Sequence, residues 1–399
     1  MTGSRWAIAA AAVVMQVCLG AAYGWSVFVA PLVATEGWSL TEVSLTFTLA
    51  IAFLGVGTIV GGLWQDHVGP RRVATVAGVV YGVSYLLAGY FVSRQSLAGL
   101  YASYGVLGGV GMGMGYITPV ATVTKWFPDR RGLMTGVAVA GYGAGALIMS
   151  PFAARSIAAR GVPLTFEILG AVYLVLVVAA AQFYRNPPVA AVVTAQTASD
   201  FTVGQAMRTR PFWMLWLMLF VNVSAGIMII SQASPMAQQI AHMTPVAAAG
   251  MVGLISIFNG AGRIFWAWMS DAIGRSRVYL LLYLIQALVL LALPRITDLT
   301  LFTALFAIVG LCYGGGFGTM PSFTADFFGS KFMGGIYGWI LLAWGAAAVP
   351  SPILIAHFRQ TTGRYETAID AVAIAMLLAV VLPLSIKRPE RRIVVEWDA

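Results

Sequence analysis

The stretch WAWMSDAIGRSRV, residues 266–278, decides the fold because it repeats an earlier part of the same chain. The earlier stretch is GGLWQDHVGPRRV, residues 61–73, and both contain the pattern Asp-x-x-Gly-x-x-Arg directly after a long apolar run. A second pair of stretches, GYITPVATVTKWFPDRRGLMTG at 115–136 and FGTMPSFTADFFGSKFMGGIYG at 317–338, repeats at a similar offset. The chain is therefore one structural unit used twice.

The composition is that of a membrane protein. Of the 399 residues, 60% are hydrophobic and 9% are charged, whereas a soluble domain carries about a quarter charged residues. Apolar runs long enough to cross a hydrocarbon core of about 30 Å recur along the whole chain. We predict twelve transmembrane helices, over residues 6–33, 40–64, 73–93, 97–126, 133–155, 164–184, 211–240, 246–269, 277–294, 299–325, 333–357 and 367–386.

A change of composition divides these twelve segments into two sets of six. Residues 185–210 are polar and contain prolines, and we interpret them as a cytoplasmic linker. The N-terminal six-helix half then covers residues 1–184, and the C-terminal half covers residues 211–399. The sequence therefore predicts an all-α membrane protein with two pseudo-symmetric halves.

The distribution of Lys and Arg predicts the orientation. Sixteen of the 23 lie on the side that carries both termini, six lie on the opposite side, and Arg263 lies within a segment. Because the excess marks the cytoplasmic side, we expect a multi-pass protein of the inner (cytoplasmic) membrane with both termini in the cytoplasm. The net charge of +9 comes from single residues or pairs at helix ends, where they meet anionic lipid. We therefore predict no nucleic-acid partner.

Few side chains in this sequence support metal or redox chemistry. Cys18 and Cys312 both fall inside apolar segments, which favours two buried thiols over a disulfide or a metal site. His67, His242 and His357 fall in loops or at a helix end, so none is an obvious intramembrane proton relay. We predict no metal, no cofactor and no enzyme activity, because an enzyme needs a nucleophile–base or metal set at depth. An anion channel would need rings of like residues contributed by the subunits of an oligomer. We expect a monomer, and we therefore do not predict a channel.

Arg263 lies in the middle of the eighth predicted helix, within the run FNGAGRIFW. It precedes Asp271 by eight residues, which places it about 12 Å from the cytoplasmic boundary at 1.5 Å per residue. An Arg at the centre of a membrane helix costs roughly 2.5–3.5 kcal/mol on insertion scales, so it needs a partner or a function. Asn259 lies one turn further from the boundary on the same face. Gly260 and Gly262 thin the helix between them, so a neighbour or a substrate can approach.

Two roles are open for Arg263, a structural ion pair and the binding of a substrate carboxylate. All 14 acidic residues lie in loops, in tails or in the terminal turns of the predicted helices. Because the protein offers no obvious counter-ion at mid-depth, we favour a substrate carboxylate bound by the guanidinium fork. Asn259 would then bind a hydroxyl or carbonyl group of the same substrate.

Aromatic residues beside glycine-rich backbone recur on the helices that would line a central cavity. A buried Tyr needs a partner for its hydroxyl, and a small anion could provide one, although core packing is the alternative for each of them. The candidates are Tyr23 in AAYGW, Tyr116 in GMGMGYITP, Tyr142 in GYGAG, and Tyr313 and Phe317 in CYGGGFGTMPS. Tyr116 is the strongest candidate, because it lies on the repeat partner of the helix that carries Phe317.

Six helices plus six, with an Asp-x-x-Gly-x-x-Arg turn after the second and the eighth, resembles the major facilitator superfamily. This resemblance implies alternating access, in which the two halves rock around a central site. It also implies that the turn residues hold the inner gate, while snorkelling surface charge is the alternative for them. These residues are Asp66, Arg71, Arg72, Asp271, Arg275 and Arg277.

Four stretches, AAYGWSVFVAPL, KWFPDRRGLMTGVAVAGYGAG, RTRPFWMLW and FNGAGRIFWAWMSDAIGR, together resemble the oxalate/formate antiporter family, which is close to the monocarboxylate transporters. The resemblance implies that Arg263 binds the carboxylate and that Tyr23 and Tyr116 line the anion site. Oxalate carriers place a Lys in the eleventh helix for the second carboxylate, and Trp344 stands at that place here. A site with one buried cation is suited to a substrate with one carboxylate.

We therefore predict a secondary active transporter of small monocarboxylates such as lactate or pyruvate, working by alternating access and coupled to protons. Importing one anion against an interior-negative potential costs about 2.3 kcal/mol per 100 mV, and a co-moving proton removes that cost. An electroneutral organic-anion exchanger of the oxalate/formate type removes it too, and this is the alternative. The Lys that animal monocarboxylate transporters carry in the first helix has no counterpart in YGWSVFVAP, so no residue is assigned as the proton carrier.

Overall fold

A computed structural model describes residues 4–188, 200–348, 365–389 and six single positions between 350 and 361. Every regular element in these ranges is helical, as the sequence predicts. Nine of the helices described there are long and apolar enough to cross a membrane.

Sixteen α-helices are numbered here in chain order. The first half contains α1 Arg5–Gly20, α2 Ser26–Glu36, α3 Leu40–Val68, α4 Pro70–Ser93, α5 Leu97–Leu100, α6 Gly109–Trp126 and α7 Arg131–Ala181. The remainder are α8 Val203–Met207, α9 Arg210–Ser231, α10 Ala233–Ile240, α11 Pro245–Ile273, α12 Arg275–Ala292, α13 Leu299–Phe328, α14 Met333–Ala348, α15 Glu366–Ala379 and α16 Val381–Ser385. Each of the twelve predicted segments overlaps one or more of these helices over the described residues.

The first, fourth, fifth and sixth predicted segments are less regular than the hydrophobic pattern indicates. A 3₁₀ turn, Ala21–Gly24, joins α1 to α2 within the first segment and carries Tyr23. A π-helix, Tyr101–Gly108, joins α5 to α6 within the fourth. The fifth and sixth segments form the single element α7, whose direction changes at Gly161 with φ of 82°. Only glycine adopts that φ without strain.

Glycines bring helix backbones into direct contact within each half. A Cβ added to Gly20 of α1 would lie 1.9 Å from the carbonyl oxygen of Tyr142 in α7. A Cβ added to Gly262 of α11 would lie 2.0 Å from the carbonyl oxygen of Leu311 in α13. Small residues permit such close packing in membranes. These contacts hold the backbone next to Arg263 at a fixed distance from its neighbours.

The most extensive contacts between the two halves are those of α3 with α14 and of α7 with α11. In the first pair, a Cβ at Gly62 would lie 2.1 Å from the carbonyl oxygen of Gly334. In the second pair, a Cβ at Gly136 would lie 2.4 Å from the carbonyl oxygen of Arg263. Arg263 therefore lies at the contact between the halves.

The segment predicted as a linker, 185–210, is described at its two ends. Its second part contains the short helix α8, which begins with a capping box formed by Thr202 and Gln205. The N–H of Phe201 donates to the carbonyl oxygen of Phe328, at 2.9 Å, so this part packs against the end of α13. The division of the chain at 185–210 stays a prediction.

Candidate functional site

Arg263 is completely buried. Its Nη1 donates to the backbone carbonyl of Val139 in α7, at 3.0 Å, and its Nε donates to Oδ1 of Asn259, at 3.4 Å. Its Nη2 has no hydrogen-bond partner among the described residues. No carboxylate of the described chain forms a salt bridge with it. One N–H edge of a buried cation is therefore left for a further acceptor.

Aromatic rings surround the guanidinium. Its Cζ lies 5.2 Å from the ring centroid of Phe317 and 5.8 Å from that of Tyr142. Such cation–π contacts are each worth about 0.5–2 kcal/mol, which offsets part of the cost of burying the charge. They give no directional acceptor for Nη2, so the guanidinium is held in place without being neutralised.

Trp344 of α14 lies at the centre of the aromatic cluster, which we call the cage. Its ring centroid is 4.9 Å from that of Phe317, 5.7 Å from Tyr142, 5.8 Å from Tyr116 and 6.2 Å from Tyr23. These rings come from α14, α13, α7, α6 and the 3₁₀ turn after α1. The cage therefore spans both halves.

The eight residues predicted to bind substrate come together around Arg263. Tyr313 packs on Phe317, with ring centroids 5.3 Å apart, and it lines the same cavity as Tyr23. The full set is Arg263, Asn259, Tyr116, Tyr23, Tyr142, Tyr313, Phe317 and Trp344. Their role in binding stays a prediction, but their proximity follows from the fold.

A cavity of about 670 Å³ lies between the halves, and the cage forms one end of it. Four of the predicted residues line it, namely Tyr23, Asn259, Tyr313 and Trp344. Most of its other wall is apolar, and no Lys or Arg of the described residues lines it. Arg263 is not part of the lining, whereas Asn259, which accepts from its Nε, is.

The opposite end of the molecule is closed around Asp66. Its two carboxylate oxygens accept from the backbone N–H groups of Gly334, at 3.3 Å, and Gly335, at 2.7 Å, in the first turn of α14. Nζ of Lys125 lies 3.5 Å from the same carboxylate. A carboxylate at a helix N-terminus is stabilised by the helix dipole. Asp66 of the first half therefore caps a helix of the second.

Asp271 makes the equivalent contact in the reverse direction. Its oxygens accept from the N–H groups of Gly132 and Leu133, both at 2.9 Å, in the first turn of α7. Arg275 forms an ion pair with it at 2.7 Å. The internal repeat of the sequence thus reappears as two reciprocal caps between the halves.

A third carboxylate, Asp326 of α13, reinforces this closed end. It forms ion pairs with Arg131 of α7, at 2.6 Å, and with Arg275, at 2.9 Å. Lys125, Arg131 and Asp326 were not assigned a role from the sequence. All three lie in the repeated stretches 115–136 and 317–338, but their charge alone does not reveal which residues form ion pairs between the halves.

The other three predicted gate residues do not join the halves in this structure. Arg71, Arg72 and Arg277 are exposed, and none of them pairs with a carboxylate of the described residues. Nη1 of Arg277 donates to the carbonyl oxygen of Ile273 on the preceding helix, at 3.4 Å. A role in gating stays a prediction for these three residues, and it also stays a prediction for Asp66, Asp271 and Arg275.

The cavity and the closed end lie at opposite ends of the same helices. On α3, Phe47 and Ile51 line the cavity, while Asp66 lies about 22 Å further along at 1.5 Å per residue. On α11, Val252 lines the cavity and Asp271 lies at the far end. The structure is therefore open on one side of the cage and closed on the other.

The sequence profile of the Major Facilitator Superfamily matches residues 12–393. The chain belongs to the Major Facilitator Superfamily. It is a multi-pass membrane transporter and not an enzyme, with the twelve-helix, two-half architecture of that superfamily. The prediction of fold class is confirmed.

Curated relatives and a solved structure agree with this membership. The chain is 30% identical over 408 residues to the Oxalate:formate antiporter of Oxalobacter formigenes, covering 99% of this chain and 95% of that one. It is 26% identical over 379 residues to Monocarboxylate transporter 13 of Bos taurus, covering 90% and 83%. The crystal structure of a variant of the E. coli fucose:proton symporter FucP matches the fold with a TM-score of 0.76 at 14% identity, covering 96% and 98%.

We predict that Asp66→Asn and Asp271→Asn each open the closed end of this facilitator. An amide replaces the charged acceptor and weakens the bonds to the helix N-terminus, each worth about 1.5–3 kcal/mol. The measurement is the rate at which a maleimide labels Ser256→Cys, on the cavity wall, in purified protein whose native Cys18 and Cys312 are buried. Labelling should slow several-fold, because the cavity closes when the opposite end opens.

Arg160→Gln is the matched control, since Arg160 is exposed and lies outside the set of predicted gate residues. It should leave the labelling rate unchanged. Equal rates in the aspartate variants and the parent would show that these caps do not hold this end closed.

Proposed function

We propose that the protein transports small monocarboxylates such as lactate or pyruvate, and that Arg263 binds the carboxylate. The observation that carries this proposal is the buried guanidinium whose Nη2 has no acceptor among the described residues. A buried charge without a counter-ion costs several kcal/mol, and an anion that arrives from outside removes much of that cost. The names of the antiporter and monocarboxylate transporter relatives support a carboxylate substrate.

The number of cations in the site favours a single carboxylate. Arg263 is the one cation within the cage as far as the chain is described, and Trp344 occupies the cage centre at 1% exposure. A dianion would bring a second negative charge into an aromatic, low-dielectric site that has no cation to receive it. Selectivity for monoanions follows from that imbalance.

Asn259 is placed to recognise the group next to the carboxylate. Its Oδ1 accepts from Nε of Arg263, and the residue also lines the cavity. The amide is therefore adjacent to both the bound carboxylate and the open space. We assign it to the 2-hydroxyl or 2-keto oxygen of the substrate.

The proposed transport cycle is alternating access in the cytoplasmic membrane, with the protein as a monomer. With both termini in the cytoplasm, the end closed by Asp66 and Asp271 is the cytoplasmic end. The cavity then faces outward and receives substrate from that side. Movement of the halves along the α3–α14 and α7–α11 contacts would break the aspartate caps and open the cytoplasmic end.

Two modes of coupling meet the electrical requirement. Proton symport is our first proposal, because a co-moving proton neutralises the imported anion. Exchange of one organic anion for another is the second, and similarity to the Oxalate:formate antiporter over 99% of the chain favours it. Uptake of labelled lactate into proteoliposomes separates the two: symport responds to an imposed pH gradient, whereas exchange requires lactate or another anion inside.

We predict that Arg263→Lys loses at least nine-tenths of lactate uptake in proteoliposomes although it keeps the positive charge. A Lys ammonium is a point charge and cannot supply the planar fork that binds a carboxylate through two N–H groups. Arg263→Gln should lose as much. Arg160→Lys is the matched control at an exposed Arg outside the predicted binding and gate residues, and it should transport like the parent. Near-normal uptake by well-folded Arg263 variants would overturn the assignment.

We also predict that Trp344→Lys shifts the preference of the site toward dianions. The new ammonium comes from α14, a different helix from the one that carries Arg263, and the smaller side chain leaves room for a second carboxylate. Oxalate should gain affinity by about 1–3 kcal/mol, the size of charge-assisted hydrogen bonds, while lactate binding weakens. The measurement is ligand-induced thermal stabilisation, which reports affinity for the folded state. A folded variant with an unchanged lactate-to-oxalate preference would contradict the single-cation account.

A further inference from the structure

Two tyrosine hydroxyls lie buried on the closed side of the cage without a hydrogen bond. Tyr116 of α6 and Tyr337 of α14 are both fully buried, and neither hydroxyl has a hydrogen-bond partner among the residues described. Tyr337 belongs to none of the sets predicted from the sequence. Leaving a hydroxyl buried and unpaired costs about 1–3 kcal/mol, so two such groups side by side need an explanation.

The position of Tyr337 follows from its helix. α14 starts at the closed end, where Gly334 and Gly335 bind Asp66, and it reaches the cavity at Trp344. Tyr337 lies seven residues before Trp344, about 10 Å nearer the closed end at 1.5 Å per residue. It therefore lies between the cage and the gate.

Tyr116 lies next to both the cage and Tyr337. Its ring packs against those of Tyr142 and Trp344 at 5.2 and 5.8 Å. Its hydroxyl lies beside that of Tyr337, although the pair does not meet the geometry of a hydrogen bond. The helices that carry them, α6 and α14, are in contact, and both hydroxyls lie within electrostatic range of Arg263. Two neutral donors and a cation with an unpaired Nη2 are therefore buried in the same part of the structure.

Other buried tyrosines of the second half find acceptors within the protein. The hydroxyl of Tyr279 donates to the carbonyl oxygen of Gly316 at 2.8 Å. That of Tyr283 donates to the carbonyl oxygen of Met218 at 2.7 Å. The fold therefore supplies backbone acceptors to hydroxyls in the same bundle, and it supplies none to Tyr116 and Tyr337 near Arg263.

We propose that Tyr116, Tyr337 and Nη2 of Arg263 form an anion subsite on the closed side of the cage, which binds an oxygen of the substrate carboxylate. A carboxylate is acceptor-only when ionised, and it can satisfy all three donors at once. This proposal rests on the proposed function. It adds Tyr337 as a binding residue, and it places the carboxylate toward the closed end with the rest of the substrate toward Asn259 and the cavity.

Substitution of each tyrosine by Phe tests the subsite, because it removes only the hydroxyl. The experiment titrates lactate against purified parent, Tyr337→Phe and Tyr116→Phe and follows the melting temperature. Both variants should bind lactate about tenfold or more weakly, since a hydrogen bond to a charged group is lost. Without lactate, their melting temperatures should equal or exceed that of the parent, because an unpaired buried hydroxyl has been removed.

Tyr184→Phe is the matched control. Tyr184 is also fully buried with an unpaired hydroxyl among the described residues, but it lies beyond the end of α7, beside Arg185, whose carbonyl accepts from Trp126 at the end of α6. Its removal should leave lactate affinity unchanged and should not lower the melting temperature. The control therefore separates a general effect of removing a buried, unpaired hydroxyl from a specific effect on lactate affinity.

The outcomes are distinguishable. Parent-like lactate affinity in Tyr337→Phe would overturn the subsite and leave the proposed function intact. A melting temperature several degrees lower without lactate, with affinity retained, would show that Tyr337 is structural and would also overturn it. Failure of lactate, pyruvate and formate to stabilise the parent protein itself would instead refute the proposed function on which the subsite rests.

Discussion

A guanidinium buried in a membrane protein, with no carboxylate partner among the described residues, is the constraint on which the rest of the structure depends. The fold holds Arg263 without neutralising it: Val139 supplies one carbonyl, and Phe317 and Tyr142 supply ring faces. Gly318 and Gly136 let α13 and α7 approach its backbone, because a Cβ at either would lie within 2.4 Å of the Arg263 carbonyl oxygen. We propose that the cost of the unpaired charge becomes a driving force for binding an anion.

The closed end uses a different kind of interaction, and the difference suits a transporter. Asp66 and Asp271 each bind backbone N–H groups at the start of a helix in the opposite half. Such polar contacts are replaced by water when the halves separate, so breaking them costs much less than exposing an apolar core. Between these caps and the cage lies Tyr337, and we propose that its hydroxyl and that of Tyr116 in the cage give an anion partners on its way toward the gate.

Sequence reasoning located the candidate site because its parts have local signatures. An Arg in an apolar run and aromatics beside glycines are visible without a structure, and the repeat predicts that they converge. The sequence analysis did not single out Tyr337, because in GGIYGW it is one more aromatic residue in an apolar helix. Its significance depends on the neighbouring hydroxyl of Tyr116, 221 residues earlier in the chain. The Asp-x-x-Gly-x-x-Arg motif does not distinguish Arg275 from Arg71 either. Arg275 forms ion pairs at the closed end and Arg71 is exposed, because the rotation of each helix about its axis determines which side chains face the other half.

The central claim is that a substrate carboxylate is the missing counter-ion of Arg263. It is tested most directly by comparing the melting temperature of the purified protein with lactate and with lactamide, which has the same shape but no charge. Lactate should stabilise the protein in a saturable manner, and lactamide should not, because an amide brings no negative charge to the guanidinium. Equal stabilisation by the two compounds, or none by either, would contradict the account.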